Sequence, residues 1–468
     1  MTIEAGRQQG APASIFSGSL RATSVGLLIL ITLLAFEAIG VTAALPTAAR
    51  ALHGLGAFGW AFTGFLIASV VGMVASGGLS DSRGPRLPLV AGMAGFVGGL
   101  LVSGTATTMA QFVAGRVVMG LGAGLLITAA YVVIGIAYPA VLRPRLFAAT
   151  ASAWVVPSAV GPLVAGSLAQ HVSWRWVFLG LVPLVVVGGL LMLPALRSLP
   201  SGGADESRRG DDLRRLGLAL VVASGIAVLE NGGQHPDVIT LGLAVPGVAA
   251  LAWGLRAVLP SGTFTVRPGV SAPIALRGVC AGAFFGMEAV VPLALSVQHH
   301  YSATLAALPL TCAGMSWTVG SWWQGRPHAG DLGYRRMLVR TGFGLVAASS
   351  VLIALAVQPG LPGWLVYLAW LLSGLGAGLT MSSVSVLMLD FTTDADRGSD
   401  SAALQLSDAT GSAVTTGVAG VLVAAAARGT IGYTAAFTVL AIAMGAVALT
   451  GAAVTARLRP APVDPARP

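Results

Sequence analysis

Glu37, Glu288 and Asp408 are carboxylates inside apolar runs of about twenty residues, and Arg116 is an arginine in similar surroundings. A charge held at the centre of hydrocarbon costs about 2.5–3.5 kcal/mol on insertion scales, so each must be paired, protonated or turned towards an aqueous cavity. Glu37 falls about 14 residues into its run, about 21 Å deep, and Arg116 lies at about the same depth in another. Pairing with Arg116 would keep Glu37 ionised, whereas parting them would leave a desolvated acid that takes up a proton. Such chemistry couples proton binding to helix movement; a static structural pair is the alternative. Glu288, also about 21 Å deep, reads either as a cavity acid or as a neutral packing residue. Asp408, with Gln405 a turn away, is only about 9 Å into its run, which favours a cavity mouth. Cys280 and Cys312 read as buried apolar residues, and His299-His300 has no neighbouring carboxylate or thiol, so neither a metal nor a cofactor is expected. No H-E-x-x-H, Ser/His/Asp set or nucleotide loop occurs, and an enzyme is not expected.

The elements that must position these charges are membrane spans. Of 468 residues, 55% are hydrophobic and 9% charged, with a mean hydropathy of +0.84, whereas soluble domains carry about 25% charged residues. Apolar runs near 23–47, 58–80, 87–107, 112–136, 146–170, 175–196, 214–231, 238–257, 274–297, 304–325, 337–357, 363–389, 402–427 and 431–456 are each long enough to cross a bilayer. The first run carries Glu37 and is followed by many more, which argues against a cleaved signal peptide.

The net charge of +9 comes from arginine with no lysine. These arginines concentrate in alternate loops, the positive-inside pattern, so the charge reports topology and no nucleic-acid partner is expected. An even number of spans, with Arg7, Arg21, Arg457 and Arg459 at the ends, places both termini in the cytoplasm of a multi-pass plasma or inner membrane protein.

Gly120-Leu121-Gly122-Ala123-Gly124-Leu125 recurs as Gly374-Leu375-Gly376-Ala377-Gly378-Leu379, and Phe36-Glu37-Ala38 is answered by Met287-Glu288-Ala289. The glycine pairs are small-xxx-small elements, for which helix packing is expected. The fold class is therefore all-α integral membrane, with about fourteen transmembrane helices in two pseudo-symmetric six-helix bundles and an inserted two-helix hairpin. The expected division is a cytoplasmic segment 1–22, a bundle 23–197, a linker 198–213, the hairpin 214–257, a linker 258–273, a bundle 274–457 and a cytoplasmic tail 458–468.

Between the second and third runs stands Gly77-Gly78-Leu79-Ser80-Asp81-Ser82-Arg83-Gly84-Pro85-Arg86. Asp81 is expected to cap the following helix while Arg83 and Arg86 anchor to headgroups. The string resembles the G-x-L-x-D-x-x-G-x-R signature of the major facilitator superfamily, and Gly325, Gly333 and Arg335 resemble a degenerate second copy, with Asp331 near the missing acid. Glu37-Ala38 through Ala44-Leu45-Pro46 is similar to the first-span D-x-T-x-x-x-x-A-L-P pattern of fourteen-helix drug:proton antiporters, with Glu for Asp and Ile39 for Thr. Arg116 with Gly120 is similar to the fourth-span R-x-x-x-G element, and Gly161-Pro162 with Ala165-Gly166 resembles the fifth-span G-P-x-x-G-G antiporter motif, one glycine short.

This resemblance implies a proton-coupled exporter of amphipathic or cationic small molecules that works by alternating access, with a small-molecule substrate, protons and the lipid bilayer as partners. A monomer is expected. Glu37 and Arg116 would couple protons, Glu288 and Asp408 would line the substrate cavity, and Gly77, Asp81, Arg83, Gly84, Arg86, Gly161, Pro162 and Gly166 would govern conformation. Export of a lipid or endogenous metabolite, or uptake by symport, are the other transport readings; a non-transporting sensor or a membrane enzyme are the remote ones.

Overall fold

The computed structural model describes residues 14–18, 20–53, 58–198, 209–234, 238–288, 290–301, 303–326, 331–427 and 429–460. The expected cytoplasmic segment before residue 14, most of the linker ahead of Arg209 and the tail after residue 460 lie outside them. The described chain is helical: α1 (Leu20–Ala51), α2 (Phe58–Arg83), α3 (Arg86–Gly104), α4 (Met109–Ala137), α5 (Arg143–Ser152), α6 (Val155–Leu168), α7 (Trp176–Leu179), α8 (Leu181–Ser198), α9 (Arg209–Gln234), α10 (Val238–Val258), α11 (Ser271–Glu288), α12 (Val291–His299), α13 (Ala303–Gln324), α14 (Leu332–Ala356), α15 (Leu365–Phe391), α16 (Arg397–Ala427) and α17 (Tyr433–Val454).

Among the described residues, nine helical stretches are long and apolar enough to cross a membrane: Leu20–Gly40, Thr63–Arg83, Arg86–Gly104, Met109–Ala137, Trp176–Pro194, Ser271–His299, Leu332–Ala356, Leu365–Phe391 and Tyr433–Arg457. Two expected spans are broken where proline dictates. The run at 146–170 is not one helix: α5 stops at Ser152, because Pro157 has no N–H for the carbonyl of Ala153 and its ring would strike that carbonyl. The run at 274–297 divides after Glu288, and Pro292 stands in the same relation to the Glu288 carbonyl. Elsewhere a local cap sets the start. Thr108 accepts a hydrogen bond from the N–H of Gln111 at 3.2 Å, and the Gln111 side chain accepts one from the N–H of Thr107 at 3.1 Å, which opens α4.

Buried apolar side chains gather in two clusters. One draws mainly on α1 to α10, with Val386, Met388, Leu389 and Leu404 at its edge. The other draws on α11 to α17 around Trp370, which stacks on Phe284 with ring centroids 5.3 Å apart. The repeated glycines set helix spacing in both. A methyl group at Gly120 or Gly124 would strike the carbonyls of Phe65 and Ser69 on α2, and one at Gly374 or Gly378 the carbonyls of Ala313 and Trp317 on α13.

Candidate functional site

Glu37 on α1 and Arg116 on α4 meet in the first cluster, each side chain only 2% exposed. Nη1 of Arg116 donates to Oε1 of Glu37, while its Nε donates to the Ala61 carbonyl at 2.9 Å and its guanidinium carbon lies 4.3 Å from the centre of the Phe65 ring. Three contacts from two other helices thus fix the cation. The acid is less well held: Oε2 of Glu37 is buried and finds no hydrogen-bond donor among the described residues. A buried acceptor left unmade costs roughly 1–3 kcal/mol, and a proton on that oxygen or a cationic donor beside it would remove the cost. The pairing inferred from depth is therefore present, with one carboxylate oxygen in reserve.

The G-P-x-x-G element on α6 runs beside this acid. A methyl at Gly161 would meet Ile39 at an ordinary 3.6 Å, and Ala165 reaches Gly40 across the α1–α6 contact. Nothing stands within 4 Å of such a methyl at Gly166. The side chain of Pro162 lies outside the described ones, and the break in this span belongs to Pro157 instead.

A second, partly buried pair joins Asp408 to Arg277, a residue that the sequence reading did not single out. Arg277 on α11 donates to Oδ2 of Asp408 on α16 from Nε at 2.8 Å and from Nη2 at 2.5 Å. Its Nη1 donates to the Met381 carbonyl at 3.1 Å and to the Ser385 hydroxyl at 3.0 Å, both on α15. Asp408 is therefore an ion-pair partner of Arg277. Because α16 begins at Arg397, five residues earlier than its apolar run, Asp408 lies about 17 Å along it. The rule that singled out Glu37, a charge inside an apolar run, applies equally to Arg277 and was the available signal.

Glu288 lies inside the Ser271–His299 stretch, where the helix breaks. It is the last residue of α11, at the break imposed by Pro292, and its half-buried side chain makes no hydrogen bond or ion pair among the described residues. A carboxylate at a helix end inside a membrane-crossing stretch, with no partner among the described residues, is placed to meet a cation or a proton donor.

The expected cap by Asp81 on the following helix is not made. Pro85 precedes α3 with no side-chain cap, and Asp81 instead accepts the N–H groups of Gly398 at 2.6 Å and Ser399 at 2.8 Å, the first turn of α16. Its own place within α2 points it away from α3. Gly77 permits this approach, since a methyl there would lie 2.8 Å from Cβ of Ala402. Gly84 turns the chain with φ +79°, a left-handed angle that favours glycine. Arg83 and Arg86 are exposed. Asp331 performs the cap foreseen for Asp81, accepting from Gly333 and Tyr334 at 3.1 Å to open α14. Three further bonds join the chain before residue 153 to the chain after 321: Gln324 to the Pro144 carbonyl at 2.9 Å, Trp322 to the Ser152 hydroxyl at 2.7 Å, and Arg143 to Asp390 at 3.5 Å. All of them, with the Asp81 bonds, lie at the arginine-rich end.

The sequence profile described as Major Facilitator Superfamily matches residues 25–358. The "MFS transporter L2" of Phoma sp. is 30% identical over 46% of this chain and 37% of its own length, so the chain spans less than half of that relative. A probable multidrug-efflux transporter of Mycobacterium tuberculosis is 26% identical over 85% of this chain and 88% of its own. Among solved structures, the human organic anion transporter MFSD10 (TETRAN) superposes with a TM-score of 0.65 at 16% identity, over 93% of this chain and 98% of that one.

Proposed function

This chain belongs to the major facilitator superfamily, whose members are membrane transporters and not enzymes, and we propose that it is a proton-coupled exporter of small amphipathic or cationic molecules. The observation that carries the proposal is the buried Glu37–Arg116 pair with Oε2 of Glu37 unsatisfied. One oxygen keeps the acid ionised while the other offers a place for a proton or a substrate cation, and a group of that kind exchanges one for the other. The relative from Mycobacterium tuberculosis, named for multidrug efflux and aligned over most of both chains, supports export.

Alternating access is the working cycle of this reading. Five hydrogen bonds and ion pairs close the arginine-rich end, and by the positive-inside rule that end faces the cytoplasm. Joining α5 to α6, α7 to α8 and α11 to α12 leaves fourteen rods, in keeping with two six-helix bundles, with α9 and α10 as the added hairpin. Both termini are then cytoplasmic, in a monomer of the plasma or inner membrane. A substrate panel on the purified protein in proteoliposomes tests the function. Cationic amphiphiles should move only when a pH gradient is imposed, and equal transport without the gradient overturns proton coupling.

A further inference from the structure

Glu37 and Glu288 answer each other in the sequence repeat, but among the described residues Glu37 has a cation beside it and Glu288 has none. Counted from the repeated glycines, with Gly120 set against Gly374, the position of Arg116 is taken by Trp370. The first half thus brings together an acid, a planar cation and a ring: Glu37, the Arg116 guanidinium and Phe65, whose ring centre lies 4.3 Å from the guanidinium carbon. Near Glu288 the second half offers an acid and rings, with tryptophan where the cation would be.

Those rings come from α11, α13 and α15. Phe284 stacks on Trp370 with centroids 5.3 Å apart and meets Phe285 and Trp317 edge to face, each at 5.1 Å; Phe285 and Trp317 are 6.3 Å apart. Trp370 and Phe284 are sealed, at 1% and 3% exposed, whereas Phe285, Trp317 and Glu288 are half-buried. Phe285 and Glu288, three residues apart on a helix, are surface neighbours. They also follow Ile274, which packs in the cluster built mainly by α1 to α10, and stand within about 40° of it around α11. The acid and the half-covered ring are therefore turned towards the seam between the two clusters. A π face beside a carboxylate attracts a cation through both the ring quadrupole and the charge.

We propose that Phe285, Trp317 and Glu288 select planar aromatic cations, the cargo's ring lying against Phe285 and Trp317 and its charge at Glu288. The cargo then supplies in the second half what Arg116 supplies in the first. A tetrahedral ammonium reaches the same carboxylate but cannot lie flat on a ring. This names the cation class of the proposed exporter; the transport step rests on that reading, and the binding step does not.

Calorimetric titration of the purified full chain with N-octylpyridinium and with octyltrimethylammonium tests the site. The two share one charge and one alkyl chain, so partition into detergent cancels and the head alone differs. The pyridinium should bind about tenfold tighter. Phe285→Leu keeps an apolar side chain and should weaken the pyridinium about fivefold and the ammonium less than twofold, while Phe285→Tyr, which keeps the ring, should restore the preference. Glu288→Gln should weaken both cations alike. Equal binding of the two cations by the parent overturns the proposal and needs no variant to fold; so does a loss in Phe285→Leu that is equal for both, which would mark a packing residue. Uptake of the same pair into proteoliposomes under a pH gradient tests the exporter reading separately. Preferential binding without transport keeps the site and overturns that reading, whereas transport of both cations with equal affinity keeps the reading and overturns the site.

Discussion

Asp81 accepts a hydrogen bond from the backbone N–H of Gly398 across 317 residues of chain, and so holds the end of α2 to the start of α16. The N–H groups of a helix's first turn lack intrahelical partners and carry the positive end of its dipole, which makes a carboxylate their preferred acceptor. A bond between a side chain and a helix start can be released whole when two bodies separate. Packing alone would resist more gradually.

Replacing Asp81 by Asn removes the charge but leaves an acceptor, and a partly buried charge at a helix start is worth up to about 2 kcal/mol. The closed arrangement of the arginine-rich end should lose between twofold and thirtyfold in population. Transport turnover should change by a comparable factor while substrate affinity in a binding assay stays within about twofold. Lowered affinity at unchanged turnover would mean that Asp81 acts on the substrate and not on the latch.

Removing one member of the Arg277–Asp408 pair leaves a buried guanidinium with only the Met381 carbonyl and the Ser385 hydroxyl as partners. Breaking such a pair costs about 3–5 kcal/mol, and the partial exposure of Asp408 favours the lower end. Asp408→Leu should melt several degrees below the parent in detergent. Arg277→Met combined with Asp408→Leu should recover most of that loss, because the desolvated charge goes with its partner. A double variant as unstable as Asp408→Leu alone would show that the two residues are not coupled.

The intramembrane charges were legible because hydrocarbon makes them costly: Glu37 and Arg116 are conspicuous in apolar runs, and their matched depths suffice to pair them. Depth gives no partner for Asp408, since its depth follows from where α16 begins, and the polar stretch from Arg397 to Ser401 hides that start from hydropathy. Asp81 misleads for a related reason. The nearest helix start in sequence is α3, whereas the first turn of α16 is nearer in space, and no local pattern distinguishes them. Prolines 157 and 292 do announce the helix breaks, but a long hydrophobic run masks them when length is the criterion.

Glu288 at the break after α11 has no partner among the described residues to give up, so its effect should fall on the cargo and not on the cycle. Glu288→Gln should reduce transport of cationic substrates about tenfold relative to neutral analogues of similar size while leaving the response to an imposed pH gradient intact. Competition uptake of matched cationic and neutral dyes in proteoliposomes reads the ratio. Loss of the pH response with an unchanged ratio would assign Glu288 to proton transfer.

Glu37→Gln carries the sharpest test of mechanism. The amide preserves volume, so Nη1 of Arg116 would still find an oxygen, and Nε would keep the Ala61 carbonyl and the guanidinium its place over Phe65. Folding and substrate binding should therefore survive, with melting within a few degrees of the parent. What the amide cannot do is alternate between a charged and a neutral state. Transport driven by a pH gradient should fall at least a hundredfold, while exchange of labelled for unlabelled substrate, which needs no net proton movement, should continue. Arg116→Gln supplies the complement: it leaves Glu37 buried without its cation, which favours the protonated acid. That variant should retain binding of neutral compounds and lose most binding of cations. If Glu37→Gln still concentrates substrate against a gradient in step with pH, the proton travels by another acid, and Glu288, which pairs with no arginine among the described residues, is the next to replace.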